Sequence, residues 1–227
     1  MQTILGPGNV LIVQERERYL AGVLRRQGYE SLEGLRCFEA ECSNGHNLHT
    51  FMQWGARPSD ISAISTQPDV VANLQAYSPQ IRIHTGSAEA IPEGDESFDL
   101  SIAFTLFSGV ADEEASSAIA DELFRITRPG GLIIVYDMTR RNPANRNGHP
   151  VTVDAIRRWF PKCPLKVRRI TLAPPIARVI GRYAPGLYGP LAALPFLRTH
   201  AMYVLRRPAL PLIPEPARQK AAAAIEA

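Results

Sequence analysis

Apolar residues follow two alternating rhythms along the first two thirds of the chain: helical spacing and short unbroken runs. In residues 14–28, Leu20, Val23 and Leu24 share one helix face with charges opposite, and Gly28 ends the segment. Residues 35–40 predict a short buried strand, 44–54 a helix with Leu48, Phe51 and Met52 inward, and 61–64 a second strand. Pro68 opens a helix whose buried stripe is Val70, Val71 and Leu74, and 81–84 is a third strand. Residues 98–104 are apolar enough for a central strand covered on both faces. Residues 113–127 carry Ile119, Leu123 and Ile126 on one helical side, and Arg128-Pro129-Gly130-Gly131 is expected to turn the chain into a strand at 132–136.

Strands alternating with helices over short turns predict a doubly wound, mainly parallel sheet. Beyond Asp137 the pattern changes. Residues 142–145 predict a loop, 153–160 a helix, 165–172 a strand with basic outward positions, and 200–205 a last strand forming an antiparallel hairpin. Residues 173–197, rich in proline, glycine and small apolar side chains, predict a lid over the substrate crevice or a lipid-interface segment, the lid being the default. The expected layout is one domain over 1–207, with 1–34 as an N-terminal helical cap and 208–227 as a mobile Pro- and Ala-rich tail.

Four ordered segments carry specific chemistry. Phe38-Glu39-Ala40-Glu41-Cys42-Ser43-Asn44-Gly45-His46-Asn47-Leu48 lies where a strand turns into a helix, the place at which α/β folds grip a nucleotide. Ala90-Ile91-Pro92, Glu96-Ser97-Phe98-Asp99-Leu100 and the run from Leu123 to Gly131 follow in order. Together they resemble the class I S-adenosylmethionine (SAM) dependent methyltransferase family, whose first motif is matched by Glu39, Cys42 and Gly45. The resemblance implies an α/β, Rossmann-like fold: a seven-stranded, mainly parallel sheet with an antiparallel final strand and helices on both faces.

The resemblance also implies SAM as cofactor, held by Glu39, Glu41, Cys42, Ser43, Gly45, Asn47, Ser65, Thr66, Ser87, Ala88 and Phe104. Asn47, in the first helical turn, is expected to cap the helix or reach a ligand. Thr105, Phe107, Tyr136 and Arg198 are the expected substrate contacts. Asp137 and His200 are the candidate bases for a substrate oxygen attacking the SAM methyl. No metal ligation is expected. Several positions depart from the family pattern: Glu41 and Ser43 replace loop glycines, Ser65 stands at the ribose acid and Ser87 at the adenine acid. Three readings follow. One is a methyltransferase acting on a small molecule or glycan, phosphate-bearing or not. Another is a degenerate methyltransferase-like protein that does not bind SAM productively and serves as a structural or regulatory partner of another protein. A third is the same fold reused for another ligand or a non-methylating reaction. The segments 172–175 and 194–200 are also similar to bacterial methyltransferases associated with surface-polysaccharide biosynthesis.

Charge adds a statement about partners. Residues 1–139 hold nine arginines, no lysine and nineteen acids, whereas 140–207 hold fourteen basic residues against Asp154 alone. Either the halves neutralise each other, or the basic half meets an anionic membrane surface or a phosphate group. Nucleic acid is not expected, because aromatics do not alternate with these arginines. Three cysteines lack metal-ligand spacing and are expected to be buried thiols. No apolar run reaches the ~20 residues of a membrane span, and no leader pattern opens the chain, so a cytoplasmic place is expected, or one peripheral to the inner membrane face.

Overall fold

The computed structural model describes residues 5–140 and 148–209. The expected loop at 142–145, Arg141 and the tail from 210 onward lie outside the described residues. Seven strands form one sheet in the order β3-β2-β1-β4-β5-β7-β6. The strands are β1 (Cys37–Ala40), β2 (Ile61–Ser65), β3 (Arg82–Thr85), β4 (Phe98–Phe104), β5 (Thr127–Met138), β6 (Leu165–Leu172) and β7 (Arg198–Arg206). β1 to β5 run parallel, and β7 lies antiparallel between β5 and β6. This is the Rossmann-like class I methyltransferase architecture, as the motifs implied.

Period-two alternation sorts the strand side chains into two cores. Leu100, Ile102, Leu132 and Ile134 meet α1 (Pro7–Arg26), α2 (His46–Gln53) and α3 (Pro68–Tyr77) on one face. Phe38, Ala103, Ile133 and Val135 meet α4 (Glu113–Ile126) and α5 (Val153–Trp159) on the other. Asp112 caps α4 by accepting from the Glu114 N–H, and Thr152 caps α5 by accepting from Ala155 N–H. Between β6 and β7 the chain forms α6 (Pro174–Tyr183), α7 (Tyr188–Ala192) and single 3-10 turns. A small third core joins Leu172, Ala177, Tyr188 and Ala192 to Leu11 and Ile12 of α1.

Two boundaries differ from expectation. Helix α1 begins at Pro7 rather than near 14, because Leu11 and Ile12 pack against the distant α6 segment. The run Arg128–Gly131 is part of β5 and not a separate turn. There Gly130 N–H donates to the Arg207 carbonyl and Arg207 N–H to the Gly131 carbonyl, so β5 takes up pairing at once. The pairing with β4 shifts register between Phe98 and Leu100 to accommodate the extra residues. A Cβ on Gly131 would come within 3.0 Å of the Asp99 carbonyl oxygen, which explains the glycine.

Helices α1 and α6 cross through two glycines. A Cβ on Gly8 would lie 2.5 Å from the Ala177 carbonyl oxygen, and one on Gly181 would lie 2.5 Å from the Gly8 nitrogen. Gly8→Ala should therefore destabilise the protein by about 1–3 kcal/mol through overpacking. By contrast Gly22→Ala, whose new methyl meets only the flexible Arg26 guanidinium at 3.4 Å, should stabilise α1 by about 0.5–1 kcal/mol. Urea denaturation of the two variants reads both signs.

Candidate functional site

The parallel strands β1, β2, β4 and β5 end on one side of the sheet, and the chain order reverses between β1 and β4. Such a switch point leaves a crevice, because the loops from the two strands leave in opposite directions. The loop after β1 enters α2 through Gly45, whose φ is +71°; a Cβ there would also lie 2.4 Å from a methyl of Leu74. At the start of the same loop Glu41 adopts φ +57°. A left-handed backbone costs a non-glycine residue roughly 1–2 kcal/mol.

The reason for this conformation is visible in the Glu41 side chain. Its carboxylate turns across to the end of β2 and accepts from the Ser65 hydroxyl at 2.9 Å, the Thr66 N–H at 3.1 Å and the Thr66 hydroxyl at 3.2 Å. Ser65 thus lacks the acid usual at its position, yet a carboxylate stands beside it. A parallel arrangement follows β3, where the Ser87 hydroxyl donates to Glu89 Oε1 at 3.0 Å and accepts from the Glu89 N–H at 3.2 Å. Glu41, Thr66, Ser87, Ala88, Glu89 and Thr105 line a cavity of about 330 Å³.

A second cleft, of about 650 Å³, opens on the other side of Glu41. Its floor is Glu39, whose side chain is buried and accepts from Asn47 Nδ2 at 2.5 Å. Asn47 Oδ1 in turn accepts from the Arg16 guanidinium at 2.9 Å. That guanidinium lies over the Phe104 ring at 5.1 Å and near the Tyr136 ring at 5.6 Å. Asn47 therefore bridges Glu39 and Arg16 and does not cap α2, whose N-cap is Gly45 with no side-chain bond. Glu39 Oε2, in contrast, is buried without any hydrogen-bond partner among the described residues. Burial pushes the Glu39 carboxyl up to about 7, against the lowering effects of Asn47 and Arg16. Ser43, exposed, also lines this cleft, as do Gln67, Phe104 and Thr105.

A third cavity, of about 400 Å³, lies between α1, β5, β7 and the first turn of α6. Its lining includes Tyr136, Thr171, His200 and the three arginines Arg16, Arg140 and Arg178. His200 stacks on Tyr136 with ring centres 5.2 Å apart, and its Nδ1 shares a hydrogen bond with the Thr199 hydroxyl at 2.9 Å. Burial, aided by nearby Arg16, lowers the His200 imidazole to about 4, so it is neutral at physiological pH. The Tyr136 hydroxyl bonds Thr171 at 2.8 Å, and burial pushes it up to about 12. Thr105, held at φ +55° by donation of its N–H to the Tyr136 carbonyl, borders all three volumes.

Four expected site residues lie elsewhere. Asp137 is fully buried and accepts from the N–H groups of Ser108 at 3.0 Å and Met138 at 2.8 Å; desolvation raises its carboxyl. It ties the chain after β4 and lines none of these cavities. Phe107 stacks on Trp159 within the core. Arg198 donates to the carbonyls of Ala192 and Arg169, bracing the end of α7. The Cys42 side chain is wholly buried in the α1–α3 core, and its thiol, like those of Cys37 and Cys163, is free. Conversely, Arg16, Gln67, Thr171 and Glu89 line the crevice without having been singled out. Arg16 read as one charge among several on the polar face of a helix, and nothing local marks which of them reaches a site.

The chain is similar to known proteins in sequence over its first half and in fold over most of its length. Residues 38–135 match the family described as "Methyltransferase domain". A methyltransferase-like protein of Schizosaccharomyces pombe, itself uncharacterised, is 34% identical over 85 residues, covering 37% of this chain and 32% of that protein. The matched stretch thus spans about a third of that relative's length. Among solved structures, the [4+2]-cyclase SpnF superimposes with a TM-score of 0.62 at 15% identity, covering 87% of this chain and 82% of that one. Geranyl diphosphate C-methyltransferase from Streptomyces coelicolor, solved with Mg²⁺, geranyl diphosphate and S-adenosyl-L-homocysteine, gives 0.61 at 10% identity over 84% and 77% of the two chains.

Glu39 makes stability depend on pH. Its folded value near 7 lies above the ordinary 4.5, so the ionised group favours the unfolded chain. The associated stability is present in full below pH 4.5 and is lost as pH rises through 7, amounting to about 3 kcal/mol. Ligand-free protein should therefore lose denaturation free energy between pH 5 and 8, and Glu39→Gln should flatten that slope. Equal slopes in the two proteins would show that Glu39 is already charged in the fold.

Proposed function

With residues 38–135 matching the family described as a methyltransferase domain, we propose that the protein is a class I methyltransferase that binds SAM through a rebuilt set of carboxylates and methylates a small anionic molecule. The observation that carries this reading is the Glu41 carboxylate at the end of β2, hydrogen-bonded to Ser65 and Thr66. The end of β2 is where dinucleotide-binding α/β folds keep the acid that accepts from ribose hydroxyls. Glu41 offers that function from β1, and Glu89 offers the second acid two residues beyond Ser87.

The orphaned Glu39 oxygen supports the same fit. A buried carboxylate with one unsatisfied oxygen and a value near 7 suits a cationic ligand group, which would hold it ionised. An ammonium group such as that of the methionine moiety has this character. Asn47 orients Glu39, and Arg16 supplies positive charge toward a ligand carboxylate on the same cleft wall. SAM, when bound, supplies an electrophilic methyl on a sulfonium. The chain's own part is to hold both reactants in place and exclude water, with catalysis chiefly by proximity and orientation.

His200 is the better placed of the two candidate bases, since it lines the substrate-side cavity as a neutral imidazole, whereas Asp137 does not reach it. It would take the proton from a substrate hydroxyl. Arg140 and Arg178 on the same cavity favour a substrate with a carboxylate or phosphate. Glu41, Ser43, Ser65 and Ser87 favoured the alternative of a scaffold without cofactor grip; the carboxylates of Glu41 beside Ser65 and of Glu89 beside Ser87 support the binding reading instead.

Titration calorimetry with SAM and S-adenosylhomocysteine tests the proposal. Binding should tighten as pH rises through 7 in step with Glu39 ionisation. Glu41→Gly relieves backbone strain, yet it should weaken binding by about one to two powers of ten through loss of charged hydrogen bonds. Glu89→Gln should weaken it less, as an exposed group. Absence of heat at millimolar SAM, or tighter binding by Glu41→Gly, would overturn the reading.

A further inference from the structure

Five large apolar side chains stand open on the segment that follows β6. Val179, Tyr183, Leu187, Leu194 and Phe196 are each between 39% and 74% exposed, whereas few others of this kind are exposed in the described chain. Helical phase explains why the two on α6, Val179 and Tyr183, stay outside. Ala177 and Gly181, four residues apart on α6, face α1, where the contact of Gly8 with Ala177 and Gly181 leaves no room for adjustment. Val179 and Tyr183, also four apart, point the other way. Closing α6 further onto the body cannot bury them.

Charge tells what surface they suit. Residues 173–197 contain Arg178 and Arg182 and no acid. The neighbouring edge strand β6 exposes Lys166, Arg168 and Arg169. Among the described residues the acidic half of the chain reaches the basic half at Arg158–Glu113 and Arg207–Glu96, and none of these five cations forms an ion pair. Glu15 of α1, the acid brought against α7, accepts from the Tyr188 hydroxyl at 2.6 Å. Part of the basic run on β6 serves to blunt a sheet edge. Edge protection does not account for arginines beside exposed aromatic and aliphatic groups on α6.

We infer that the outer face of α6 and the turns through Phe196 docks on the surface of an anionic lipid bilayer. Apolar and aromatic side chains enter the headgroup boundary while Arg182, whose guanidinium lies over the exposed Tyr183 ring, meets lipid phosphates. No helix among the described residues is long and apolar enough to cross the membrane, so this contact is peripheral. A protein partner would also bury the apolar groups, but a segment that carries arginines and no acid favours a uniformly negative surface. The inference stands apart from methyl transfer and is tested without cofactor.

The full chain is sedimented with vesicles of phosphatidylcholine alone or mixed with phosphatidylglycerol, at about 0.1 M salt and at high salt. It should sediment with the anionic vesicles alone and be released by salt. Arg182→Gln should lower the affinity about fivefold. The double variant Val179→Ser, Phe196→Ser should lose sedimentation while keeping the wild-type thermal midpoint. Tyr77→Ser, which removes an exposed aromatic on α3, should sediment as wild type. Hydrogen exchange should slow in residues 179–196 when anionic vesicles are added. Wild-type protein remaining in the supernatant, unaltered sedimentation of the double variant, or no protection of 179–196 would each overturn the inference, the first of these leaving a protein partner as the surface's occupant.

Discussion

Strand β1 has no free edge and no exposed face, and the site is a consequence of that burial. All four of its residues are buried, with β2 on one side and β4 on the other. Its backbone groups are satisfied within the sheet, so the chain can meet a ligand only where β1 ends. Glu39, one residue before that end, is carried into the interior by the strand's own pairing. A carboxyl placed there either stays protonated or finds a cation, and its raised value records the cost. Asn47 and, behind it, Arg16 relieve part of that cost, which ties the first helix of the chain to the centre of the sheet.

The same burial bears on Glu41. A glycine would take the left-handed conformation at the loop entry freely. Glutamate takes it with a strain that three hydrogen bonds to a charged group can offset, since each contributes about 1.5–3 kcal/mol. The side chain thereby carries negative charge from the β1 loop to the end of β2. Two substitutions that each look like a loss, a glycine gone at 41 and an acid gone at 65, become one exchange once the loop is folded. Ser87 and Glu89 repeat the relation on the next strand, over a shorter chain distance.

Much of the fold was legible because it rests on periodicity. The strand 98–104, the helix beginning at 113 and the strand 165–172 were readable residue by residue, since burial on one or both faces dictates their apolar spacing. The early start of α1 and the entry of Arg128–Gly131 into β5 were not. The first depends on Leu11 and Ile12 meeting a segment more than 160 residues later, and the second on Arg207 offering a ladder partner. Around the crevice, Tyr136 and Thr105 were marked by their positions at strand ends and Gly45 by the loop motif. Asp137 has a strand-end position too, but the inward turn of its side chain to Ser108 is set by the path of the loop after β4.

Spacing of apolar residues, together with four short motifs, was enough to determine the sheet, its helices on both faces and the end of the sheet at which the crevice opens. It also showed that 140–207 carries nearly all the uncompensated positive charge. Only the tertiary structure decided that Glu41 faces Ser65, that Asn47 joins Glu39 to Arg16, that His200 and not Asp137 lines the cavity between α1 and β7, and that Val179 and Tyr183 of α6 point outward while Ile176 and Ile180 pack inward. The physical reason is the same in each case. Burial acts on a repeating pattern that a sequence displays, whereas a polar side chain takes its direction from whichever donor or acceptor the fold brings within about 3 Å.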